Sequence, residues 1–180
     1  MSKTRTPRPI SKTALENAAL HYLERFSSSA ENLRRILLRR VERAARFFGD
    51  DPAAGKMLVD ELIARYESAG LLDDRQYAAA RTQSLFRRGN SARAIRRHLA
   101  VRGVANEHID AALVDLAAET GEESGSVDFA AAVAYARRRR LGPYRPAEMR
   151  ALHRSRDLAA LGRAGFSWDI ACAVVDGEAV

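Results

Sequence analysis

Apolar residues recur along this chain at intervals of three and four, in segments separated by short polar breaks, and the pattern predicts nine α-helices. The first covers about Lys12 to Phe26, turns Leu15, Ala19, Tyr22, Leu23 and Phe26 inward, and stops at Ser27-Ser28-Ser29. Either Ser28 with Glu31 or Ser29 with Asn32 can accept the first free N–H groups of the second helix, which runs to about Phe48. Gly49-Asp50-Asp51-Pro52 breaks it, because proline lacks an N–H and glycine tolerates positive φ. A third helix spans about Lys56 to Ala69 and ends at Gly70. Asp73 with Gln76 opens the fourth, which continues to Arg88. Ser91 caps a fifth that ends near Arg102, and a sixth runs from Asn106 to Ala118. Glu119 to Ser126 is polar and acidic without periodicity and reads as a linker. The seventh helix covers about Val127 to Leu141, closed by Gly142-Pro143, and the eighth begins at Pro146. The ninth follows Gly165-Phe166 and a Ser167 cap, with Trp168 expected to pack between helices eight and nine. Met1 to Ser11, basic and nearly free of apolar residues, reads as a flexible leader that does not pack.

The helices repeat. At an offset of 52, Tyr77-Ala78-Ala79-Ala80 matches Phe129-Ala130-Ala131-Ala132 and Arg87-Arg88 matches Arg139-Arg140. At an offset of 62, Leu99 matches Leu161, Gly103-Val104 matches Gly165-Phe166 and Leu113 matches Val175. Leu33-Arg34-Arg35-Ile36-Leu37 resembles Ile95-Arg96-Arg97-His98-Leu99, each four residues after a serine. The expected fold is all-α: an elongated array of three tandem three-helix repeats over residues 12–72, 73–118 and 127–180, with 1–11 as leader and 119–126 as linker. Stacking is what buries the apolar faces that each unit alone leaves open.

Composition narrows the function. Of 180 residues, 30 are Lys or Arg and 23 Asp or Glu, a net charge of +7 that points to a polyanionic partner. A GC-rich genome would also produce the preference for arginine, 27 against 3 lysines. A single cysteine excludes a disulfide framework and fits a reducing compartment, the cytoplasm. No apolar run approaches the roughly 18 residues of a membrane span, and the N-terminus lacks the apolar stretch of a signal peptide. The four histidines are scattered, no Cys/His cluster has zinc spacing, no glycine-rich phosphate loop is present, and Asp73 is used as a cap. Neither an enzyme nor a cofactor is expected.

The arginines carry the candidate chemistry. In the second helix Arg35, Arg39, Arg43 and Arg46, spaced 4, 4 and 3, form one stripe opposite Leu33, Leu37, Val41, Ala44 and Phe48, with Arg34 beside them. In the fifth, Arg93, Arg96 and Arg97 share a face opposite Ile95 and Leu99. Each stripe reads either as a solvated outer face or as a ridge presented to phosphate or carboxylate. Recurrence favours the ridge, because stacked repeats would align these residues with Arg87, Arg88, Arg137, Arg138, Arg139 and Arg140. Four consecutive arginines cannot all face one way, so at least one stem lies along protein surface. Tyr144, next to Arg145, either packs or stacks on a base or a partner side chain.

On these pieces, together with Gly70-Leu71-Leu72-Asp73-Asp74, Arg87-Arg88-Gly89 and Arg138 through Arg145, the chain resembles the RecX regulatory family over nearly its whole length. Val41, where that family usually has a glycine ending its second helix, the longer segment Glu42 to Lys56, and Asp157 in place of an apolar residue depart from the pattern. The resemblance implies a monomeric, non-catalytic modulator that binds the RecA recombinase filament on single-stranded DNA and restrains its ATPase and strand exchange. A basic helical protein whose affinity for single- or double-stranded DNA is itself the function is the alternative.

Overall fold

The computed structural model describes residues 7, 9–49, 51–120 and 124–178. Among them the chain is all-α: α1 (Lys12–Leu23), α2 (Ala30–Phe48), α3 (Pro52–Ser68), α4 (Asp74–Arg87), α5 (Ala92–Val101), α6 (Asn106–Thr120), α7 (Ser124–Arg139), the 3-10 turn η1 (Gly142–Tyr144), α8 (Ala147–Ala164) and α9 (Trp168–Val175). Contacts divide it into two compact units, Met1–Tyr77 with Arg102–Val104, and Ala78–Val101 with Ala105–Val180.

In the first unit α2 and α3 pair along their length and α1 packs on both. Leu33, Leu37, Val41 and Ala44 of α2 are buried because the spacing of 4, 4 and 3 keeps them on one face. They meet Val59, Leu62, Ile63 and Tyr66 of α3 and Leu15 and Ala19 of α1. The segment Glu42 to Lys56 lengthens this pair: α2 runs through Val41, and α3 begins four residues earlier than its periodicity suggests. Asp51 accepts a hydrogen bond from the Ala53 N–H at 2.9 Å, and Pro52 takes the first helical position, where its missing N–H costs nothing. Pro52 therefore starts a helix as well as ending one. A Cβ on Gly55 would sit 2.7 Å from Val41 Cγ1, so a glycine in α3 lets the helices close over the valine.

Three expectations in this unit need correction. Phe26 lies beyond the end of α1 and is 55% exposed, and Phe48, in the last turn of α2, is also exposed. The end of the segment read as a leader does pack, since Ile10 lies against the core and Ser11 caps α1 by accepting from the Ala14 N–H. Most of the rest of it, residues 1–6 and 8, lies outside the described residues.

The second unit has its main core where α7, α8, α9 and η1 meet, with Ala132, Ala136, Leu158, Leu161, Phe166 and Val174 buried. Gly142 closes it: its φ is +53°, and a Cβ there would lie 2.8 Å from Val175 Cα. Arg154 forks onto Asp176 at 2.7 and 2.6 Å, tying α8 to the end of α9. Both ends of the segment read as a linker are helical, since α6 reaches Thr120 and α7 starts at Ser124, and residues 121–123 lie outside the described residues. Trp168, expected between two helices, is 67% exposed. It occupies the first turn of a short helix whose packed positions, Ala171, Val174 and Val175, lie further on.

One joint occurs twice, once inside each unit. In the first, the Ser29 hydroxyl caps α2 by accepting from the Asn32 N–H and donates to the Arg102 carbonyl at 2.5 Å, while the Ala30 N–H donates to Asp74 Oδ1 at 2.8 Å. In the second, Ser91 accepts from the Ala94 N–H and donates to the Ala164 carbonyl at 2.8 Å, and the Ala92 N–H donates to Asp128 Oδ1 at 2.7 Å. Gly103 and Gly165, at φ +76° and +96°, complete the two joints, since a Cβ on either would strike Glu31 or Ser91 respectively. The offset of 62 is therefore structural. The offset of 52 is not: the shared bond pairs Asp74 with Asp128, two residues out of that register, so buried Tyr77 corresponds to buried Ala131 and not to exposed Phe129. Alanine runs at 78–80 and 130–132 match in several registers, which is why the pattern slipped.

Candidate functional site

The arginine stripe of α2 follows from its helical phase. Arg35, Arg39, Arg43 and Arg46 repeat the spacing of Leu33, Leu37, Val41 and Ala44 displaced by two residues, about 200° around the helix, and all four are exposed. They are not equivalent. Arg35 donates through Nε to Glu31 Oε1 at 2.8 Å, one turn earlier. Arg34 bridges to α3 through Asp60 at 2.7 Å, and that hydrogen bond raises its already high pKa. Arg39, Arg43 and Arg46 make no ion pair among the described residues, and Arg40 beside them, absent from the sequence reading, makes none either. Between α1 and α2 a groove of about 440 Å³ runs under Arg39, Arg40 and Arg43, walled by Tyr22 and Phe26, whose ring centroids lie 5.2 Å apart. Nothing in the helical phase of either sequence segment marks this groove.

In the second unit the predicted arginines fall into four environments. Arg87 and Arg88 are exposed at the end of α4, where Arg87 touches Gln83 at 3.5 Å. On α5, Arg93, Arg96 and Arg97 are exposed as expected, and Arg96 is held by Asp110 of α6. The run at the end of α7 resolves as its crowding requires. Arg137 lies 5.6 Å over the Tyr144 ring, Arg138 and Arg139 lie 5.9 and 5.3 Å over Tyr135, and Arg140 ends the helix with a left-handed φ of +55°. Tyr144 is half-buried and packs against the core, with Arg137 over its ring.

Arg145 is half-buried and reaches an interior carboxylate. It forks onto Asp157 with Nε and Nη2 each at 2.8 Å, and Asp157, 1% exposed, also accepts from the Gly142 N–H at 2.9 Å. Burial, the largest influence, pushes the Asp157 carboxyl up. The hydrogen bonds from Arg145 and Gly142, with the charges of Arg145 and His153, outweigh it and hold the carboxyl below the usual carboxylate range. The polar residue at an apolar position is thus explained by its partner twelve residues earlier. Arg145, named with the candidate contact residues, is thus engaged in a structural ion pair.

Among the described residues no group of three His, Cys, Asp or Glu side chains could hold a metal ion, and no helix is long and apolar enough to cross a membrane.

Comparison with known proteins agrees with the helical pattern. The profile described as "RecX, second three-helix domain" matches residues 73–113. The regulatory protein RecX of Myxococcus xanthus (strain DK1622) is 42% identical over 173 residues, covering 96% of this chain and 89% of that protein. The regulatory protein RecX of Agrobacterium fabrum (strain C58 / ATCC 33970) is 32% identical over 159 residues, 88% and 80% of the two chains. A crystal structure of a regulatory protein RecX shares the fold with a TM-score of 0.60 at 19% identity, covering 92% of this chain and 72% of the other. With its tandem helical units and a match to a curated relative along nearly its whole length, the chain belongs to the RecX family of regulatory proteins.

Proposed function

We propose that this chain is a non-catalytic regulator that binds the RecA recombinase filament on single-stranded DNA and restrains its ATPase and strand exchange, acting in the cytoplasm as a monomer without a cofactor. Three repeats, 12–72, 73–118 and 127–180, would serve as its binding modules. The observation that carries the reading is the outward face of α2, where Arg39, Arg43 and Arg46 make no ion pair among the described residues and lie opposite a buried apolar face. A protein filament wrapped on DNA offers both carboxylates and phosphates to such forks. Family membership supports a regulatory role. Arg87, Arg88, Arg93 and Arg97 supply the corresponding surface within the second unit.

The test is to titrate the protein into RecA, ATP and single-stranded DNA and follow ATP hydrolysis and light scattering. Hydrolysis should fall with added protein. The triple variant Arg39→Glu/Arg43→Glu/Arg46→Glu should keep its stability within about 0.5 kcal/mol, as exposed charge changes usually do, and lose most of the effect. No change in hydrolysis or scattering on adding the wild-type protein overturns the proposal. Tight DNA binding that weakens steeply with salt, without any effect on RecA, would instead make DNA affinity the function.

A further inference from the structure

The second joint differs from the first in one respect that bears on chemistry. Positions 62 residues apart correspond across the two joints, so Glu31 and Arg35, an ion pair at 2.8 Å in the first, become Arg93 and Arg97 in the second. The acid that neutralises the arginine is replaced by another cation. Beside Arg97 a pocket of about 370 Å³ opens within the second unit, where the ends of α4, α7 and α8 meet α5. Arg97, Arg139 and Arg163 all line it, with Tyr135, Asn90 and Gly89, and no Asp or Glu lines it among the described residues. Arg97 and Arg163 make no ion pair there, and Arg139 rests on Tyr135.

The pocket is built by the fold. Gly89, at φ +70°, presses the end of α4 onto α7 so closely that a Cβ would lie 2.7 Å from the Tyr135 nitrogen. The bond from Ser91 to the Ala164 carbonyl brings the last turn of α8, and with it Arg163, against α5. Arg139 and Arg163 sit in last turns, where the carbonyl ends of the helices temper their charge. Arg97 lies in neither of these turns, and no carboxylate among the described residues lines the cluster.

We propose that Arg97, Arg139 and Arg163 form a binding site for a phosphoryl group. A carboxylate has two oxygens and is saturated by one or two guanidinium forks, whereas a phosphoryl group offers enough oxygens to take three. The ligand is either a free phosphate compound or a phosphate of a nucleic-acid backbone. The pocket would take it whether or not a recombinase is the partner.

Calorimetric titration at low salt with two probes, inorganic pyrophosphate and a twelve-residue oligothymidylate, tests this. Arg97→Ala and Arg163→Ala should each weaken binding about tenfold, while Arg156→Ala, an exposed arginine of α8 outside the pocket, should leave it unchanged. Should an alanine variant lose its far-UV circular dichroism, Arg163→Lys keeps the charge and loses the fork, and should still weaken binding several-fold. A loss confined to pyrophosphate assigns the site to small phosphate compounds. A loss with the oligonucleotide, accompanied by a salt dependence shallower by about one unit per arginine removed, assigns it to the backbone. Absence of binding by both probes, or equal binding by wild type and variants, overturns the proposal. So does binding of polyglutamate in place of both phosphate probes, which would make the pocket a carboxylate site.

Discussion

Replacing Arg145 with alanine leaves the Asp157 carboxylate buried with the Gly142 N–H as its remaining hydrogen-bond donor. Two charge-assisted hydrogen bonds are lost, at about 1.5 to 3 kcal/mol each, an upper sum of about 3 to 6 kcal/mol. Protonation sets a lower ceiling. A carboxyl with an ordinary pKa near 4 can be neutralised at pH 7 for about 4 kcal/mol, and water entering the space left by a partly exposed arginine recovers some of that. The expected loss is about 3 kcal/mol at pH 7, in line with breaking one side of a buried ion pair. The double variant Arg145→Met/Asp157→Asn removes both charges yet keeps an acceptor for the Gly142 N–H, and should lose no more than about 1 kcal/mol. The pH dependence has a fixed sign. Because the folded Asp157 carboxyl lies below its ordinary value, its contribution is complete above the unfolded pKa near 4 and disappears as pH falls through the folded one, so wild type and Arg145→Ala converge in acid. Urea unfolding by far-UV circular dichroism measures the loss, and amide exchange at Gly142 localises it, with about 150-fold faster exchange for 3 kcal/mol. A loss below 1 kcal/mol with unchanged Gly142 protection would refute the reasoning.

Other outcomes follow from the same geometry. Gly89→Ala should cost at least about 2 kcal/mol in urea unfolding, since positive φ and a backbone clash add, whereas Gly70→Ala, at similar φ with open space around it, should cost about 1 kcal/mol. Ser91→Ala removes a helix cap and the partner of the Ala164 carbonyl together, and should destabilise by about 2 kcal/mol in the same assay. Ser11→Ala removes one exposed capping bond and should cost no more than about 1 kcal/mol.

Much of the fold was legible because its signals are local. The caps at Ser29, Asp73, Ser91 and Ser167 each act within three residues, and all four accept the N–H that their spacing assigns. The stripe of α2 needs only helical phase. What escaped depends on partners that sequence distance hides. Asp157 reads as an error in an apolar pattern until Arg145 and Gly142 are placed against it. Arg163 is one arginine among 27 until the Ser91 bond draws α8 toward Arg97. Pro52 was read as a break because the rule against proline inside helices is stronger in sequence than the rule favouring it at their start.

The joints also bear on how the chain is made. Both serine hydroxyls close on a carbonyl 73 residues downstream, and the amides beside them on carboxylates 44 and 36 residues ahead. A ribosome releasing this protein from its N-terminus would therefore deliver α2 long before the loop that completes its start, and the same delay would recur at α5. Each module would wait, half-finished, for the next to emerge, so ribosomal pausing within either interval would prolong exposure of the unfinished helix ends to chaperones and proteases.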